Sequence, residues 1–490
     1  MKVLEKAFKI ESLINKLKSL VDENIKKKKF EEAIAAANAC ANIMYQWNQK
    51  YTDFYLEENV KALSRNLISS KFDRSECKKN VILFYDNFGL DTRGLALIYL
   101  KAIARLGYHL IYVRPEYREI PKEIYKNINE FNVTWETFSN KTYLIKLNDI
   151  NGVLIKYKPE IAFFYSTPDD IVGASIFFAY KDIIKRYQIN LTDHAYWIGI
   201  NTFDYCIEFR DYGAYISNKY RKIEKEKLIK LPFYPYINKN IKFLGFPFDT
   251  KDKKIIFSGG ALYKTLGDSN NYYYKIISEI LSRNIDAIFL YAGDGDTTNL
   301  KKLSNLYPNR VYNIKERMDL YQIMQHITLY LNTYPILGGL MTQYAAVACK
   351  IPISLVRKND VYDGFLINQK DREIEYTDYN ILIKDVDRLL KDEYYRSIRE
   401  NKLVDSVITE AEFERELQKI MTENKSKYNI LYKEYNDKIF LKEYIKRANY
   451  DNIILSSVAV FQNRRLFKYF GKLFIKKIFY KILNIKDRLK

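Results

Sequence analysis

Two adjacent glycines, Gly338 and Gly339, come directly before a stretch of small residues that runs from Thr342 to Cys349. Apolar residues 329–331 predict a buried strand before the glycines, and the small residues predict a helix that ends before Pro352. Paired glycines let the backbone approach a ligand closely, and the first amides of a helix have no partner within it. These amides and the helix dipole favour an anion, typically a phosphate. The pattern therefore indicates a phosphate site, with a plain turn as the alternative interpretation.

A lysine follows another strand-like run that also ends in two glycines. Residues 254–258 predict a buried strand, Gly259 and Gly260 follow it, and Lys264 comes four residues after the second glycine. Ligands bind beyond the carboxyl ends of parallel strands, so a lysine here is placed to face a bound phosphate. The alternative is an ordinary surface lysine, since the chain contains 80 lysines and arginines.

An Asp-x-Asp pair, Asp294 and Asp296, follows the next predicted strand at residues 287–291. Carboxylates at this spacing can chelate Mg²⁺ or Mn²⁺. The pair lies within a predicted domain that already has a phosphate site, however. We therefore interpret it as a loop that lines a cleft, and we expect no metal.

Candidate bases lie in the first half of the chain. His194 is one of only three histidines, and Asp193 precedes it directly. An imidazole beside a carboxylate is suited to take the proton of a hydroxyl group. Asp91 is the rival base, in a loop that also contains Arg93 and Gly94, where the arginine is a candidate contact for an acceptor or a phosphate. The sequence leaves the choice between His194 and Asp91 open.

Strands and helices that alternate twice along the chain must position these residues. The strands are predicted at 81–85, 109–113, 161–165 and 204–207, then at 254–258, 287–291, 310–313 and 329–331. Helices at 95–106, 272–283 and 320–325 separate some of them. This alternation predicts an α/β protein with two doubly wound, Rossmann-like domains. The predicted regions are a helical region at 1–75, a first Rossmann-like domain at 78–238, a second at 250–435 and a helical, basic tail at 436–490.

The end of the chain has the pattern of a basic amphipathic helix. Residues 464–490 contain ten basic residues and one acid. One row of the predicted helix is apolar and another, about 160° away, is basic. The apolar row is Leu466, Phe470, Phe474, Ile478 and Ile482, and the basic row is Lys468, Lys472 and Lys476. This pattern favours an anionic membrane surface. A helix that packs on its own protein or on a partner is the alternative.

Composition limits the class of protein. The chain has 490 residues, 48% of them apolar, and a formal charge of +20. Its heavy use of Lys, Ile, Asn and Tyr is typical of an AT-rich bacterial genome. Because such a genome raises the lysine content, the net charge says little about binding partners. Four cysteines lie far apart without metal or disulfide spacing, which fits a reducing cytoplasm. No signal peptide and no window of about 18 apolar residues is present. We expect a protein of the cytoplasm, peripheral on the inner leaflet.

The second domain resembles the GT-B glycosyltransferases, above all the branch of O-GlcNAc transferase and the bacterial protein glucosyltransferases. The resemblance is carried by three segments and a helix start: Leu262-Tyr263-Lys264, Asn309-Arg310-Val311, Leu331-Asn332-Thr333, and Gly339 with Thr342. In the first domain, Trp197-Ile198-Gly199, residues 204–207 and Leu231-Pro232 resemble the same family. The likeness covers about 350 residues.

The resemblance implies a GT-B fold, with two domains facing a cleft, and a metal-independent glycosyltransferase. The second domain would bind the nucleotide-sugar donor, and the first would bind the acceptor, with Arg93 and Gly94 on the acceptor side. By the resemblance, Lys264 and Thr342 hold the donor diphosphate, and we also expect donor contacts from Gly259, Gly260, Gly338, Gly339, Met341 and Arg317. The candidate catalytic residues, from their types and positions, are His194, Asp91 and Asp193. The nucleotide-sugar is a substrate, so no cofactor is expected.

The chain departs from the family at two positions. Leu340-Met341-Thr342 replaces the His-Thr-Thr of the helix start, and Ala345 stands where an acid usually holds the ribose. The nucleotide therefore stays unassigned. The long helical repeats of the animal enzymes are also absent, which makes a comparable groove for a polypeptide doubtful.

The sequence thus predicts a transferase that moves a sugar from a nucleotide-sugar onto a hydroxyl of a bacterial surface glycan, in a capsule or a lipopolysaccharide. Its expected partners are the donor, a glycan or lipid-linked acceptor, and the anionic inner-leaflet membrane surface, but no nucleic acid. One alternative is a protein glycosyltransferase of the same fold. The other is a non-catalytic protein that binds a membrane surface or a nucleic acid through its positive charge.

Overall fold

The computed structural model describes residues 2–89, 95–266, 268–357 and 364–435, together with residue 453. The candidate base Asp91, its loop neighbours Arg93 and Gly94, and the basic tail at 464–490 lie outside the described residues.

Three helices form a layer at the start of the chain: α1 (Lys2–Lys26), α2 (Phe30–Trp47) and α3 (Phe54–Leu67). The apolar residues of α1 recur at spacings of three and four, at Ile10, Ile14, Leu17 and Val21, and all four are buried. They face α2, whose buried residues include many alanines. Small side chains let the two helices pack closely. No helix within the described residues is long and apolar enough to cross a membrane.

Seven parallel strands form the sheet of the first domain, in the order β3-β2-β1-β4-β5-β6-β7. They are β1 (Lys78–Asp86), β2 (His109–Pro115), β3 (Val133–Phe138), β4 (Pro159–Tyr165), β5 (Lys185–Asn190), β6 (Tyr205–Glu208) and β7 (Leu228–Lys230). The connecting helices are α4 (Leu95–Arg105), α5 (Lys122–Ile128), α6 (Tyr143–Tyr157), α7 (Ile171–Ala179) and α8 (Asp211–Lys219). The strand order reverses between β1 and β4, which opens a crevice at the carboxyl ends of these two strands.

Six parallel strands form the second sheet, in the order β10-β9-β8-β11-β12-β13. They are β8 (Lys254–Gly259), β9 (Ala287–Ala292), β10 (Val311–Ile314), β11 (Leu329–Leu331), β12 (Pro352–Leu355) and β13 (Glu375–Tyr376). Its helices are α9 (Tyr272–Arg283), α10 (Thr298–Leu306), α11 (Leu320–Gln325), α12 (Gly339–Val347), α13 (Tyr379–Lys391) and α14 (Glu393–Asn401). Every residue of β9 is buried, as expected for a parallel strand covered on both faces. The prediction of two doubly wound domains is confirmed.

The chain returns to the first domain through a last helix, α15 (Glu410–Glu423). The ring of Phe413 lies edge-on to that of Tyr99 in α4, with centroids 5.0 Å apart. The Tyr187 hydroxyl of β5 donates to the Ile420 carbonyl at 2.7 Å. Apolar residues of α15 therefore complete the core of the first domain.

Polar side chains of the N-terminal layer hold loops of the first domain in place. The two carboxylate oxygens of Glu31 accept hydrogen bonds from the first amides of α6, those of Tyr143 and Leu144, both at 2.9 Å. A carboxylate at a helix N-terminus satisfies unpaired amides and complements the helix dipole. The layer is thus part of the first domain's framework.

The buried Glu57 of α3 holds a second loop. One oxygen of its carboxylate accepts from the amides of Gly199 at 2.8 Å and Ile200 at 3.2 Å. The other oxygen has no hydrogen-bond partner among the described residues. Burial raises the pKa of this carboxyl from 4.5 to about 7, although the two amides oppose the shift.

We expect Glu57 to make the folded protein less stable as the pH rises. The unfolded carboxyl gives up its proton near pH 4.5 and the folded one near pH 7. The free energy of unfolding should therefore fall between these values, by about 3 kcal/mol, and then level off. Denaturant titrations at pH 5 and pH 8 measure the change, which Glu57→Gln should abolish. The neighbouring Glu58, 68% exposed, provides the control: Glu58→Gln should keep the pH dependence of the wild type. Equal behaviour of the two variants would contradict the assignment.

Candidate functional site

The second sheet reverses its strand order between β8 and β11, so the loops that follow these strands border a crevice. A short 3₁₀ helix, Leu262–Thr265, follows β8. The loop after β11 reaches this helix, where the Ile336 amide donates to the Lys264 carbonyl at 3.2 Å. The crevice is therefore bordered by the two segments that the sequence predicts to bind a phosphate.

The start of α12 is fixed by Asn332. Its carboxamide oxygen accepts from the Gly338 amide at 2.9 Å, and its nitrogen donates to the Thr342 hydroxyl at 2.9 Å. That hydroxyl donates in turn to the Gly338 carbonyl, also at 2.9 Å. In this structure the buried Thr342 therefore shapes the helix start, instead of presenting its hydroxyl to a ligand.

The first amides of α12 are available to a ligand. The Thr342 amide closes the first turn on the Gly338 carbonyl at 3.0 Å. The amides of Gly339, Leu340 and Met341, which precede it, have no hydrogen-bond acceptor among the described residues. Three such N–H groups at the positive end of a nine-residue helix form a candidate site for an anion.

The half-buried Lys264 side chain lies close to this crevice. Its ammonium nitrogen is 3.9 Å from the point where a Cβ on Gly260 would be, and Gly260 has a φ of +123°, which favours glycine. A Cβ on Gly259 would lie 2.9 Å from the terminal methyl carbon of Met341. The end of β8, Lys264 and the first turn of α12 thus lie together, as the sequence predicts for the phosphate site.

The Gly-Asp-Gly-Asp loop after β9 packs against the segment that contains Lys264. A Cβ on Gly293 would lie 2.0 Å from the Gly260 carbonyl oxygen. The Leu262 amide donates to the Asp294 carbonyl at 2.9 Å, and the Asp296 carboxylate accepts from the Thr298 amide at 2.9 Å. No group of three metal-ligating side chains occurs within the described residues.

Arg317 binds the linker between the domains. Its guanidinium pairs with Asp319, with 2.8 Å between Nε and Oδ1, and donates to the Gly245 carbonyl at 2.8 Å. These contacts occupy all three nitrogens of the guanidinium, since its second terminal nitrogen also pairs with Asp319. Arg317 therefore connects the linker to the second domain through hydrogen bonds in this structure.

His194 lies in the loop after β5 and is held on both sides. Its Nδ1 is 3.2 Å from the Asp193 carboxylate, and its carbonyl accepts from the Asn48 carboxamide at 3.1 Å. Arg210 pairs with Asp193 through two nitrogens, at 2.5 and 3.0 Å. Burial alone would raise the pKa of Asp193, but the Arg210 guanidinium and His194 hold it well below its usual range. The lowered pKa makes Asp193 a poor base, and its carboxylate lies where it can orient His194.

Arg210 also links this loop to α12. Its guanidinium carbon lies 5.0 Å from the ring centre of Phe365, in the second domain. A Cβ on Gly339 would lie 2.7 Å from that ring, and the side-chain Nε2 of Gln343 donates to the Phe365 carbonyl at 3.0 Å. The chain of contacts His194, Asp193, Arg210, Phe365 and Gly339 brings the two halves of the predicted site together.

Comparison with known proteins gives the fold class. No protein-family model matches the chain, and no curated protein matches it. Among solved structures, a Thermobaculum terrenum O-GlcNAc transferase mutant is similar over 89% of this chain and 85% of its own, with 12% identity and a TM-score of 0.53. A glycosyltransferase from Rickettsia africae is similar over 70% of this chain and 99% of its own, with 11% identity and a TM-score of 0.50. The chain has the GT-B fold, which confirms the prediction from the sequence.

The two glycines before α12 should respond differently to a side chain. Gly339→Ala places a methyl group against the buried Phe365 ring, and such overpacking costs about 1–3 kcal/mol. Gly338→Ala should change the free energy of unfolding by less than about 0.5 kcal/mol, because its nearest neighbour would be 3.6 Å away. Denaturant unfolding of both variants measures the difference. Equal losses of unfolding free energy in the two variants would show that the contact with Phe365 is not the reason for glycine at position 339.

Proposed function

We propose that the protein is a glycosyltransferase that moves a sugar from a nucleotide-sugar donor onto a hydroxyl of an acceptor. The observation that carries the proposal is the group of three unpaired amides at the start of α12, beside the segment with Lys264. A donor diphosphate matches this arrangement because it brings two adjacent phosphates. The similarity in fold to glycosyltransferases supports the same conclusion.

The reaction needs a base on the acceptor side and a group that receives charge on the donor side. A base in the first domain takes the proton of the acceptor hydroxyl, with His194 and Asp91 as the candidates. The acceptor oxygen then attacks the anomeric carbon of the sugar, and the nucleoside diphosphate leaves with the bonding electrons. Lys264 and the amides of α12 stabilise the leaving charge, without a metal, because they are already oriented toward it.

The acceptor we propose is a bacterial surface glycan, in a capsule or a lipopolysaccharide, carried by a lipid at the inner leaflet. The basic, amphipathic pattern of residues 464–490 supports a peripheral position at the membrane. A polypeptide acceptor is the alternative within the same reaction. Incubation with labelled nucleotide-sugar distinguishes the two, since the label enters either a lipid extract or polypeptide.

Lys264→Ala should weaken the binding of a nucleoside diphosphate about ten- to a hundredfold, because a charge-assisted contact contributes roughly 1.5–3 kcal/mol. Binding of the bare nucleoside should change little, since it has no phosphate. The nucleotide is first identified by a thermal-shift screen of UDP, GDP, dTDP and CMP. Calorimetry on the wild type and the variant then gives the dissociation constants.

Lys253→Ala is the control for this experiment, because Lys253 is an exposed lysine in the linker before β8. It should bind both ligands as the wild type does. Equal losses for nucleoside and nucleoside diphosphate in Lys264→Ala would refute a phosphate contact. Activity that disappears with EDTA would point instead to Asp294 and Asp296 as metal ligands.

Deletion of residues 464–490 should move the protein from membrane to soluble fractions, because it removes ten basic residues and the apolar row. Fractionation of cells in low salt, with the full chain as reference, measures the change. Donor hydrolysis should persist. An unchanged distribution between the fractions would rule out a membrane role for the tail.

A further inference from the structure

A cavity of about 510 Å³ lies between the two domains. The first domain lines it with residues that follow β6 and β7, and the second domain lines it with Gln343 of α12 and residues 364–371. Residues 406–408 and 427–433, before and after α15, complete the lining. The chain passes between the domains at 231–253 and again at 402–409. Both passages therefore contribute residues to the cavity.

The cavity is separate from the candidate phosphate site. The described residues that line it include neither Lys264 nor the glycines before α12. They do include Phe365, whose ring would lie 2.7 Å from a Cβ on Gly339, and Arg210, whose guanidinium carbon is 5.0 Å from the centre of that ring. A ligand in the cavity would thus contact the residues that join the two domains.

Two buried polar atoms of the lining have no hydrogen-bond partner among the described residues, Gln343 Oε1 and Ser406 Oγ. The Gln343 side chain is held by its nitrogen, which donates to the carbonyls of Phe233 at 2.8 Å and of Phe365 at 3.0 Å. Carbonyl oxygens only accept, so the nitrogen must face them, and Oε1 is left as an acceptor. Because a buried polar atom without a partner is costly, both atoms point to a ligand with hydroxyl groups.

The charge of the lining favours an anion. Among the described residues, five cationic and two acidic side chains line the cavity. Three of the cations pair with carboxylates, in the pairs Arg210–Asp193, Lys230–Asp211 and Lys427–Glu412. The other charged side chains of the lining are Lys370, Lys433 and Asp371. Burial lowers the pKa of the Lys433 ammonium, although the Asp211 carboxylate opposes the shift. An anion beside Lys433 would therefore offset the cost of burying its charge.

We propose that this cavity binds a phosphorylated sugar, with its phosphate beside Lys433 and its hydroxyls on Gln343 Oε1 and Ser406 Oγ. The rings of Phe233 and Tyr428 also line the cavity, and aromatic rings pack on the apolar C–H faces of a sugar. The volume lies within the roughly 300–1,000 Å³ that is usual for small-molecule sites, and it exceeds what a phosphate ion alone needs.

This site is additional to the proposed function and does not depend on it. Because both domains contribute contacts, a bound sugar phosphate would favour the present arrangement of the two domains over others. The ligand would therefore act as an effector that is neither donor nor acceptor.

Calorimetry on the full chain tests the site. The probes are glucose 6-phosphate, glucose 1-phosphate and N-acetylglucosamine 1-phosphate, with inorganic phosphate and glucose for comparison. Lys433→Gln removes the charge and keeps most of the stem, which lies over the Tyr435 ring with Nζ 4.8 Å from its centre. Ser406→Ala removes only the unpaired hydroxyl. Lys219→Gln is the matched control, because Lys219 lies 5.0 Å over the Tyr215 ring but does not line the cavity.

At least one sugar phosphate should bind the wild type, and inorganic phosphate and glucose should bind about tenfold or more weakly, since each lacks one half of the contacts. Lys433→Gln should weaken the sugar phosphate about ten- to a hundredfold, and Ser406→Ala about two- to tenfold, as expected for a charge-assisted and a neutral hydrogen bond. Lys219→Gln should bind as the wild type does. Without ligand, all three variants should keep the Tm of the wild type, whereas a merely structural role would lower it.

Four results would overturn the inference. The first is that no sugar phosphate of the panel binds. The second is that inorganic phosphate binds as tightly as the best sugar phosphate, which would show that the sugar is not recognised. The third is unchanged affinity in both Lys433→Gln and Ser406→Ala, which would place the ligand elsewhere. The fourth is loss of binding in Lys264→Ala, which would show that the sugar phosphate occupies the candidate phosphate site.

Discussion

The candidate phosphate site depends on the hydrogen bonds that Asn332 makes at the start of α12. One carboxamide binds the amide of Gly338 and the hydroxyl of Thr342, and that hydroxyl closes back on the Gly338 carbonyl. The helix therefore begins at a defined residue, and the three amides after it keep one orientation. All of the partners are buried, so the loss of one would leave an unpaired polar group and would cost about 1–3 kcal/mol. A site for a diphosphate needs this rigidity, because oriented dipoles stabilise charge only when they need not reorganise.

In the first domain, a buried ion pair fixes the loop that contains His194. Arg210 and Asp193 are almost completely buried, and removal of one partner from such a pair typically costs 3–5 kcal/mol. The same guanidinium lies against Phe365, which packs on the first residue of α12. The loop with His194 is thereby connected to the helix that carries the anion site. The ion pair explains why Asp193, adjacent to the base candidate His194, is itself unsuited to take a proton.

The sequence predicted those features that depend on neighbours along the chain. Long apolar strands, the glycines before α12 and Lys264 after β8 are local patterns, and the structure brings the two glycine motifs to one crevice. Contacts between distant residues could not be predicted, which is why the roles of Asn332, Arg210 and Phe365 were missed. Strand β5 was missed for a related reason. It begins with Lys185 and Arg186, and only the pairing of Arg186 with Asp204, at 2.7 Å, shows how a charged residue is buried in a sheet. The packing of α15 on the first domain could not be predicted either, because it depends on contacts with residues far away along the chain.

Ala345, which stands where the glycosyltransferases that the sequence resembles usually have an acid, is a residue of the hydrophobic core. Ala345 is fully buried in a cluster with Met341, Ile323 and Phe257. A carboxylate at this position would lose its hydration among these apolar side chains. A single substitution of Ala345 by an acid would therefore place a carboxylate in the apolar core and not at a ribose. Under the proposed function, selectivity for the nucleotide would come from other residues around the crevice, while the amides of α12 and Lys264 would bind the diphosphate.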